Sequence, residues 1–394
     1  MPKLLATLLL SSALMSPALA EEVTAWRLFV GDHTDPKATA LDLETGDALG
    51  SFPLVSPAAL YTTHSGEAVF AVQGAGNQIS AIRTGIAIDD HGDHGDIKIS
   101  DPAAIEAVVS GERPVHFVEH NGKIALFFDG TGKTSIVGEH AWIDAGDVSA
   151  VEFDSGAPHH GVAAPWGDYT LISVPNPEDP TKLPIGINVL DKAGAVVGDT
   201  HGCADLHGEA SSGDILAIAC AEGLLLVTGS GEPKIEKIGY EGLPTGKATT
   251  LIGGQGLQYF LGNYGADKVV IIEPGADAVY RLVELPTRRV HFVTDPVRPR
   301  FAYIFTEDGQ LRQLDVVSGE LTNAVKVTEP YSMDGEWSLP RPRLAVAGDV
   351  IAVTDPNAGT VHLVDAATFK VTRDLPVEGL PYTVVAVGGS GSVH

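Results

Sequence analysis

Four histidines occupy equivalent positions in this sequence, and each begins a short run of strand-forming residues that ends in a turn. They are His116, His160, His207 and His291. Imidazole nitrogen is a preferred ligand of zinc and of several other transition metals, and a zinc site needs three or four N, O or S ligands. If the four runs surround one axis, their histidines converge there. The pattern therefore predicts a transition-metal site, with Zn²⁺ as the bound ion.

The residues next to these histidines offer alternative ligands. His159 precedes His160, and neighbouring residues of a strand face opposite ways, so only one of the two can point at the axis. Glu209 lies two residues after His207 and shares its side, where it could bind the metal or orient a ligand. A lone histidine at such a position usually just lines a polar channel. His291 belongs to a repeat on the far side of the expected ring.

A second candidate for metal binding is the loop DDHGDHGD, residues 89–96. It places His91 and His94 three residues apart, with Asp93 between them, and short histidine-rich tracts favour metal binding. The alternative is a solvated acidic loop. The spacing matches neither an EF-hand nor an H-E-x-x-H helix, which argues against calcium and against a metalloprotease. We expect a carboxylate or a loop histidine such as His94 to complete the site formed by His116, His160 and His207.

The elements that must position these residues are β-strands. Apolar or alternating segments of about five to eight residues, separated by Gly, Pro, Asn and Asp, are typical of all-β proteins. They occur in sets of four that repeat about every 45 residues, which predicts a single β-propeller. The count gives eight four-stranded blades, with seven as the alternative if residues 338–343 or the chain ends are misread. Three N-terminal strands would join the last strand and close the ring.

Two other β architectures are alternatives: a two-sheet sandwich, or two unrelated β domains. No linker of biased composition divides the chain, so we favour one propeller over residues 21–394. The longest repeat, the first, contains an insertion at residues 86–112. This insertion combines the His/Asp-rich loop with a predicted short helix over residues 101–112, which would begin at Asp101 with Pro102 in its first turn.

The N-terminus is typical of a secretory signal peptide, residues 1–20. It has one early lysine, Lys3, then an apolar stretch, and Ala18-Leu19-Ala20 before two acidic residues. No later segment has the roughly 18 consecutive apolar residues of a membrane span. We therefore expect a soluble protein of the bacterial periplasm, without a membrane anchor after the signal is removed, and we expect a monomer.

The net charge and the cysteine count limit which ligands and which cellular compartment we expect. The chain has 25 Lys and Arg against 51 Asp and Glu, a formal net charge of −26. Phosphate backbones are repelled by such a field, so nucleic-acid binding is excluded, whereas cations are attracted. The two cysteines, Cys203 and Cys220, are predicted to form a disulfide in an oxidising compartment. A thiolate pair for metal, beside His201 and His207, is the alternative.

No sequence motif of a nucleophile, a P-loop or a dinucleotide site is present. A metal at the channel mouth could nevertheless serve a hydrolase or a lyase, in which Glu209 would act as general base beside a zinc-bound water. A metal-free interaction module is the third possibility. A non-enzymatic metal carrier would need the metal-binding side chains but no catalytic residue.

Four segments together are similar to the AztD family of periplasmic zinc metallochaperones, and the likeness extends over the whole mature chain. They are DDHGDHGD, RPVHFVEHNGKIALFFDGTGK, APHHGVAAP and CADLHGEASSGDILAIACAEGLLLV. The resemblance implies a protein that is not an enzyme. It implies capture of Zn²⁺ and its direct transfer to the zinc-specific periplasmic solute-binding protein of an ABC transporter. The His/Asp loop would then assist capture or transfer.

Overall fold

The computed structural model of the protein describes residues 21–92 and 95–393, and this part of the chain is almost entirely β-structure. Thirty-four strands and one short helix form its regular secondary structure. The predicted signal peptide, residues 1–20, lies outside the described residues. The all-β class predicted from the sequence is confirmed.

The strands are short and follow one another closely. The first nine are β1 (Glu21–Asp32), β2 (Lys37–Asp42), β3 (Ala48–Pro53), β4 (Ala59–Thr62), β5 (Ala68–Gln73), β6 (Gln78–Arg83), β7 (Ile86–Asp90), β8 (Gly95–Ile99) and β9 (Ala103–Ser110). The next are β10 (Pro114–His120), β11 (Lys123–Phe128), β12 (Lys133–Gly138), then helix α1 (Glu139–Ala145), β13 (Val151–Asp154), β14 (Ala163–Trp166), β15 (Tyr169–Val174), β16 (Gly186–Leu190) and β17 (Val196–Gly202).

The second half of the chain continues the same pattern. Its strands are β18 (Glu209–Ser212), β19 (Ile215–Cys220), β20 (Gly223–Thr228), β21 (Lys234–Gly239), β22 (Leu251–Ile252), β23 (Phe260–Asn263), β24 (Lys268–Ile272) and β25 (Tyr280–Glu284). The last are β26 (Arg289–Thr294), β27 (Phe301–Thr306), β28 (Gln310–Asp315), β29 (Glu320–Lys326), β30 (Leu344–Ala347), β31 (Val350–Asp355), β32 (Thr360–Asp365), β33 (Lys370–Pro376) and β34 (Pro381–Val393).

These strands form eight blades, as the sequence predicts. Blade 1 has the order β4-β5-β6-β9, and blades 2 to 7 each contain four consecutive strands, from β10–β13 to β30–β33. Blade 8 combines both ends of the chain in the order β34-β1-β2-β3. In its register, β1 pairs antiparallel with β34 from Glu21 opposite Val393 to Asp32 opposite Pro381. The predicted closure of the ring by N-terminal strands is confirmed.

The hydrophobic core lies between the blades. Among the described residues, eight clusters of buried side chains are found. Seven join two consecutive blades, and the eighth joins blades 3 and 4 and includes Val118 of blade 2. Phe70 of blade 1 packs on Phe117 of blade 2, with ring centroids 5.1 Å apart. Leu28 of blade 8 packs in the same cluster as Leu363 of blade 7. Each blade is therefore buried on both faces only because the ring closes.

The propeller has two faces that differ in what they carry. The innermost strands are β4, β10, β14, β18, β22, β26, β30 and β34. We call the face where they begin, marked by Ala59, Pro114 and Arg289, the start face. The face where they end, marked by Thr62, His120 and Thr294, is the end face. Strands within a blade alternate in direction, so the fourth strand returns to the start face and every link between blades crosses that face.

The insertion in blade 1 is a β-hairpin formed by β7 and β8. It leaves the end face, because Arg83, the last residue of β6, pairs with Ala68 and Ala103 at that end of the blade. β8 then lies beside β34 in parallel, with Asp96 opposite Ser392, and extends the sheet of blade 8 to six strands. The His/Asp-rich segment therefore belongs to a projection of the end face.

The helix predicted over residues 101–112 is wrong. Residues 103–110 form β9, the outer strand of blade 1, which pairs with β6 from Arg83 opposite Ala103 to Gln78 opposite Ser110. Ile105 and Val109 are buried between blades 1 and 2. The insertion is consequently the hairpin alone, within residues 84–102, and it is shorter than the predicted 86–112.

The helix of the described chain is instead α1, seven residues long, in blade 2. Gly146 ends it in the left-handed conformation, with φ 64°, that glycine adopts without strain. Trp142 is fully buried against the ring of Phe70. Within residues 21–92 and 95–393, no helix has the length and hydrophobicity to cross a membrane.

The two cysteines form the predicted disulfide. Cys203 and Cys220 are bonded, with Cα atoms 5.0 Å apart. Cys203 begins the link that carries His207, and Cys220 ends β19 at the start face. The bond therefore ties one end of this link to blade 4.

Candidate metal centre

Three of the four in-register histidines converge at the start face. We call His116, His160 and His207 the histidine trio. His116 is the third residue of β10, whereas His160 and His207 lie in the links that lead into β14 and β18, so the three come from consecutive blades. Ring centroids are 5.0 Å apart for His116 and His160, 5.2 Å for His160 and His207, and 6.3 Å for His116 and His207.

Each ring of the trio is oriented by a partner at Nδ1. The Nδ1 atom of His116 lies 2.9 Å from Glu209 Oε1, and that of His160 lies 2.7 Å from Asp129 Oδ2. The Nδ1 atom of His207 lies 2.7 Å from the carbonyl oxygen of Thr249. All three partners are acceptors, so each Nδ1 carries a proton and donates it. A neutral imidazole of this tautomer keeps its lone pair on Nε2.

The three Nε2 atoms face one another. His160 Nε2 lies 3.5 Å from His116 Nε2 and 3.3 Å from His207 Nε2. Two lone pairs at this distance repel unless a proton or a cation lies between them. In a tetrahedral site with Zn–N bonds of 2.0–2.1 Å, neighbouring nitrogens are separated by about 3.3–3.4 Å. The two separations from His160 are close to the edges of such a tetrahedron.

The trio offers three nitrogen donors. Over residues 21–92 and 95–393, however, no group of three or more His, Cys, Asp or Glu side chains is already arranged to hold a metal ion. The rings would have to shift for all three nitrogens to reach one ion.

The charges around the trio suit a divalent cation. Burial would lower the pKa of His116, but the Glu209 carboxylate outweighs burial through its charge and hydrogen bond and raises it. Burial would raise the pKa of Glu209, but His116 outweighs it in turn, and the pKa of this carboxyl is lowered. Within the described chain, Glu209 Oε2 and Asp129 Oδ1 are buried without a hydrogen-bond partner. The carboxyl groups of Glu209 and Asp129 beside the three imidazoles therefore form a setting that favours a cation.

A glycine permits the approach that orients His207. Gly208 has φ +92°, and a Cβ at this position would lie 2.6 Å from the Thr249 carbonyl oxygen. That carbonyl accepts the hydrogen bond of His207 Nδ1. Any other residue at position 208 would both strain the backbone and push away the acceptor.

His159 and His291 make structural contacts. His159 is buried, with Nδ1 2.9 Å from the Ala157 carbonyl and Nε2 2.8 Å from Ser173 Oγ, so both ring nitrogens have partners. His291 Nδ1 accepts the backbone N–H of Leu344. Burial, followed by the nearby Arg343 and Arg289, lowers the pKa of His291 well below its usual value. The ring is therefore neutral and carries its proton on Nε2. The Nε2 atom then has no lone pair to offer a metal, and the Nδ1 lone pair already accepts the Leu344 N–H.

The His/Asp-rich hairpin lies at the other end of the channel. Its His91 Nε2 is 3.4 Å from Asp96 Oδ2 and 3.8 Å from Asp89 Oδ2. Asp93 and His94 lie outside the described residues. Because the hairpin leaves the end face and the trio lies at the start face, the expectation that a residue of this loop completes the trio has no support in the strand order. Metal binding by the loop itself stays a prediction.

The end face has its own cavity, of about 400 Å³. His64, His120 and His140 line it together with Glu119, Glu139 and Asp214. His120 stacks on Trp166 with ring centroids 4.5 Å apart. Burial lowers the pKa of His120. His64 follows β4, His120 is the last residue of β10 and His140 lies in the first turn of α1, so all three lie at the end face and do not join the trio.

Two groups of the centre were not predicted from the sequence. Asp129 follows β11 at the start face, beside the link that carries His160. Its position in the strand pattern could have revealed it, because a second strand of one blade ends where the first strand of the next begins. The role of the Thr249 carbonyl could not be predicted from residue type, since every residue has a backbone carbonyl.

Known proteins with similar sequences or structures support the propeller fold. No family model matches the chain. It is 48% identical over 392 residues, 99% of this chain and 93% of the relative, to the zinc chaperone AztD of Citrobacter koseri. The crystal structure of Citrobacter koseri AztD superimposes with a TM-score of 0.92 at 49% identity, over 94% of this chain and 100% of that one.

A more distant structure shows the fold alone. Dihydro-heme d1 dehydrogenase NirN has a TM-score of 0.60 at 12% identity, over 91% of this chain and 74% of that chain. Identity at this level carries no activity from one protein to another. The identity to the Citrobacter koseri protein is of a different order and extends over nearly the whole chain. The chain belongs to the AztD family.

Proposed function

We propose that this protein is a periplasmic zinc carrier, which binds Zn²⁺ through His116, His160 and His207 and transfers it directly to the solute-binding protein of a zinc ABC importer. The observation that supports it most is the approach of His116 Nε2 and His207 Nε2 to within 3.5 and 3.3 Å of His160 Nε2. The relative named a zinc chaperone supports the choice of metal. The Cys203–Cys220 disulfide supports an oxidising compartment such as the periplasm.

Three protein ligands suit transfer. His160, the middle residue of the trio, has a side chain that is 34% exposed, so the site is open on one side. A ligand from an acceptor protein can therefore enter the fourth position while the histidines still hold the ion. The histidines themselves are fixed by Glu209, Asp129 and the Thr249 carbonyl, which favours tight binding.

The alternative of a metallo-hydrolase or lyase fits less well. It assigns Glu209 as general base, and a general base is most effective with a pKa near the operating pH. The pKa of Glu209 is lowered, chiefly because the favourable charge and hydrogen bond of His116 outweigh burial. Its Oε1 atom also orients His116. Glu209 is thus better suited to hold a ligand than to accept a proton.

Zinc titration tests the site. Calorimetry, with a competing chelator for tight binding, should give one tight site in the wild type that is lost in His116→Ala/His160→Ala/His207→Ala. The matched control replaces three histidines of the end face, His64, His120 and His140, by alanine. It should keep the tight site. Unchanged affinity in the first triple variant would reject the trio as the site.

Transfer is tested separately. Zinc-loaded protein is mixed with the metal-free solute-binding protein of a zinc ABC importer, and the distribution of zinc is followed over time. A carrier transfers zinc faster than it loses zinc to a dilute chelator, and it hydrolyses neither esters nor lactones. Transfer no faster than spontaneous release would reject direct handover, and turnover of a substrate would favour the enzyme.

A further inference from the structure

The segment between β29 and β30, residues 327–343, is the longest link between blades. It crosses the start face, as all such links do. We call residues 331–340 of this link the Trp337 loop. Trp337 is 88% exposed and Leu339 is 46% exposed, while the other three tryptophans of the chain pack within the propeller. A large aromatic side chain in water on a folded protein is unusual and often marks a binding surface.

The Trp337 loop is held in one shape by a buried arginine. Arg341, 5% exposed, donates to four backbone carbonyls of the loop. Its Nε reaches Ser332 O at 2.9 Å and its Nη2 reaches Asp334 O at 3.0 Å, while Nη1 lies 3.1 and 3.3 Å from the carbonyls of residues 336 and 337. Arg288 also donates to Asp334 Oδ1 at 2.8 Å. The loop is therefore preorganised, which lowers the entropic cost of docking.

The loop reaches the mouth of the channel. The carbonyl of Ser338, next to Trp337, accepts a hydrogen bond of 2.7 Å from His33 Nε2. The ring of His33 contacts Tyr382, the second residue of the innermost strand β34. Arg343 stacks over the same tyrosine, 4.9 Å from its centroid. Trp337 is thus presented beside the central opening on the face that carries the histidine trio.

We propose that the Trp337 loop is the docking surface for the protein that accepts zinc. This inference rests on the proposed function, since it assigns the loop to the acceptor of the trio's zinc. The exposed acidic residues Asp334 and Glu336 flank the apolar side chains, in a chain with a net charge of −26. The partner is therefore a zinc-binding protein with an apolar pocket for Trp337 and a rim of Lys and Arg. Docking there brings the acceptor's ligands over the start face.

The test uses zinc-loaded full-length mature protein and the metal-free solute-binding protein of a zinc ABC importer. In Trp337→Ala and Trp337→Ala/Leu339→Ser, the acceptor concentration that gives half-maximal transfer rate should rise about 10- to 30-fold, the size of a hot-spot effect. The affinity for zinc and the rate of zinc loss to a small chelator should not change. Val317→Ser, at an exposed apolar residue of the end face (66% exposed), is the control and should transfer normally.

A second measurement does not depend on transfer. Acrylamide quenching of the exposed Trp337 should fall when the zinc-free acceptor is added to the wild type, and Arg341→Met should weaken this protection by loosening the loop. Normal transfer by Trp337→Ala, while the wild type transfers zinc, would overturn the docking surface alone. Failure of the wild type to transfer would instead reject the proposed function. A wild-type dimer that Trp337→Ala dissociates would show that a second copy occupies the loop, and would also overturn the proposal.

Discussion

Replacing Glu209 by glutamine tests the proposed binding of zinc by the trio. Glutamine keeps the size of the side chain and an acceptor for His116 Nδ1, 2.9 Å away in the wild type, but it removes the charge. At roughly 6 Å from a divalent ion and an effective dielectric constant of about 20, that charge contributes roughly 5 kcal/mol of attraction before any offset. The variant should therefore bind zinc more weakly.

The net loss of zinc affinity is smaller than this attraction because the carboxylate also favours a competing proton. In the metal-free protein the same carboxylate stabilises a proton on His116, which zinc must displace, so its removal also eases binding. Outer partners of metal-bound histidines typically contribute 10- to 100-fold in affinity. We expect Glu209→Gln to lose about that factor, or about 1.4–2.8 kcal/mol, at about pH 8, where competition from protons is weak.

Competition with a chromogenic chelator measures this change. Glu119→Gln is the matched control, because Glu119 lies on the same strand β10 but at the end face, where it accepts the backbone N–H of Gly122. It should bind zinc within twofold of the wild type. Equal affinity of Glu209→Gln and the wild type would refute the electrostatic role of Glu209, and tighter binding would show that proton competition dominates.

Two further predictions concern stability. His362 lies between Asp374, 2.7 Å from its Nδ1, and Asp355, 3.4 Å from its Nε2, and the hydrogen bond to Asp355 is the largest cause of its raised pKa. This stabilisation is present below the unfolded pKa of about 6.5 and is lost as pH rises through the raised pKa, so His362→Gln should lower the denaturation midpoint more at pH 6 than at pH 9. Equal losses at both pH values would contradict the charged pairing. Cys203→Ser/Cys220→Ser should lower the free energy of unfolding by about 3 kcal/mol in denaturant titrations. Its zinc affinity should fall less than tenfold, because the Thr249 carbonyl still orients His207.

The blade pattern was predictable because it depends on local features of the sequence. Strand alternation and turn residues such as those at Asn121-Gly122, between β10 and β11, recur in every repeat and need no long-range information. The repeat also predicted that the histidines lie near the starts of inner strands, although His116 lies within β10 and His160 and His207 lie in the links before β14 and β18. Ring closure was also predictable, since the C-terminal repeat lacked three strands and the N-terminus supplied three.

The misassigned strand β9 shows where local reading fails. Ile105 and Val109 are four residues apart, and such residues share a face in a helix and in a strand alike. Asp101-Pro102 before them is a typical helix start. Pairing with β6, and burial between two blades, decide the structure, and neither is visible in the segment itself. The position of the hairpin relative to the trio was missed for a related reason, because it depends on the direction in which β6 ends.

The geometry of the trio accounts for two demands that a carrier must meet together. Tight binding needs donors that lose little freedom, and here three imidazoles are fixed through Nδ1 before the ion arrives. Release needs a path for ligand exchange, and His160 leaves the trio open to solvent at one side. The Nε2 atoms of His116 and His207 lie 3.5 and 3.3 Å from that of His160, so a small shift of the rings would bring all three to one ion. An incoming ligand would then approach that ion from the open side.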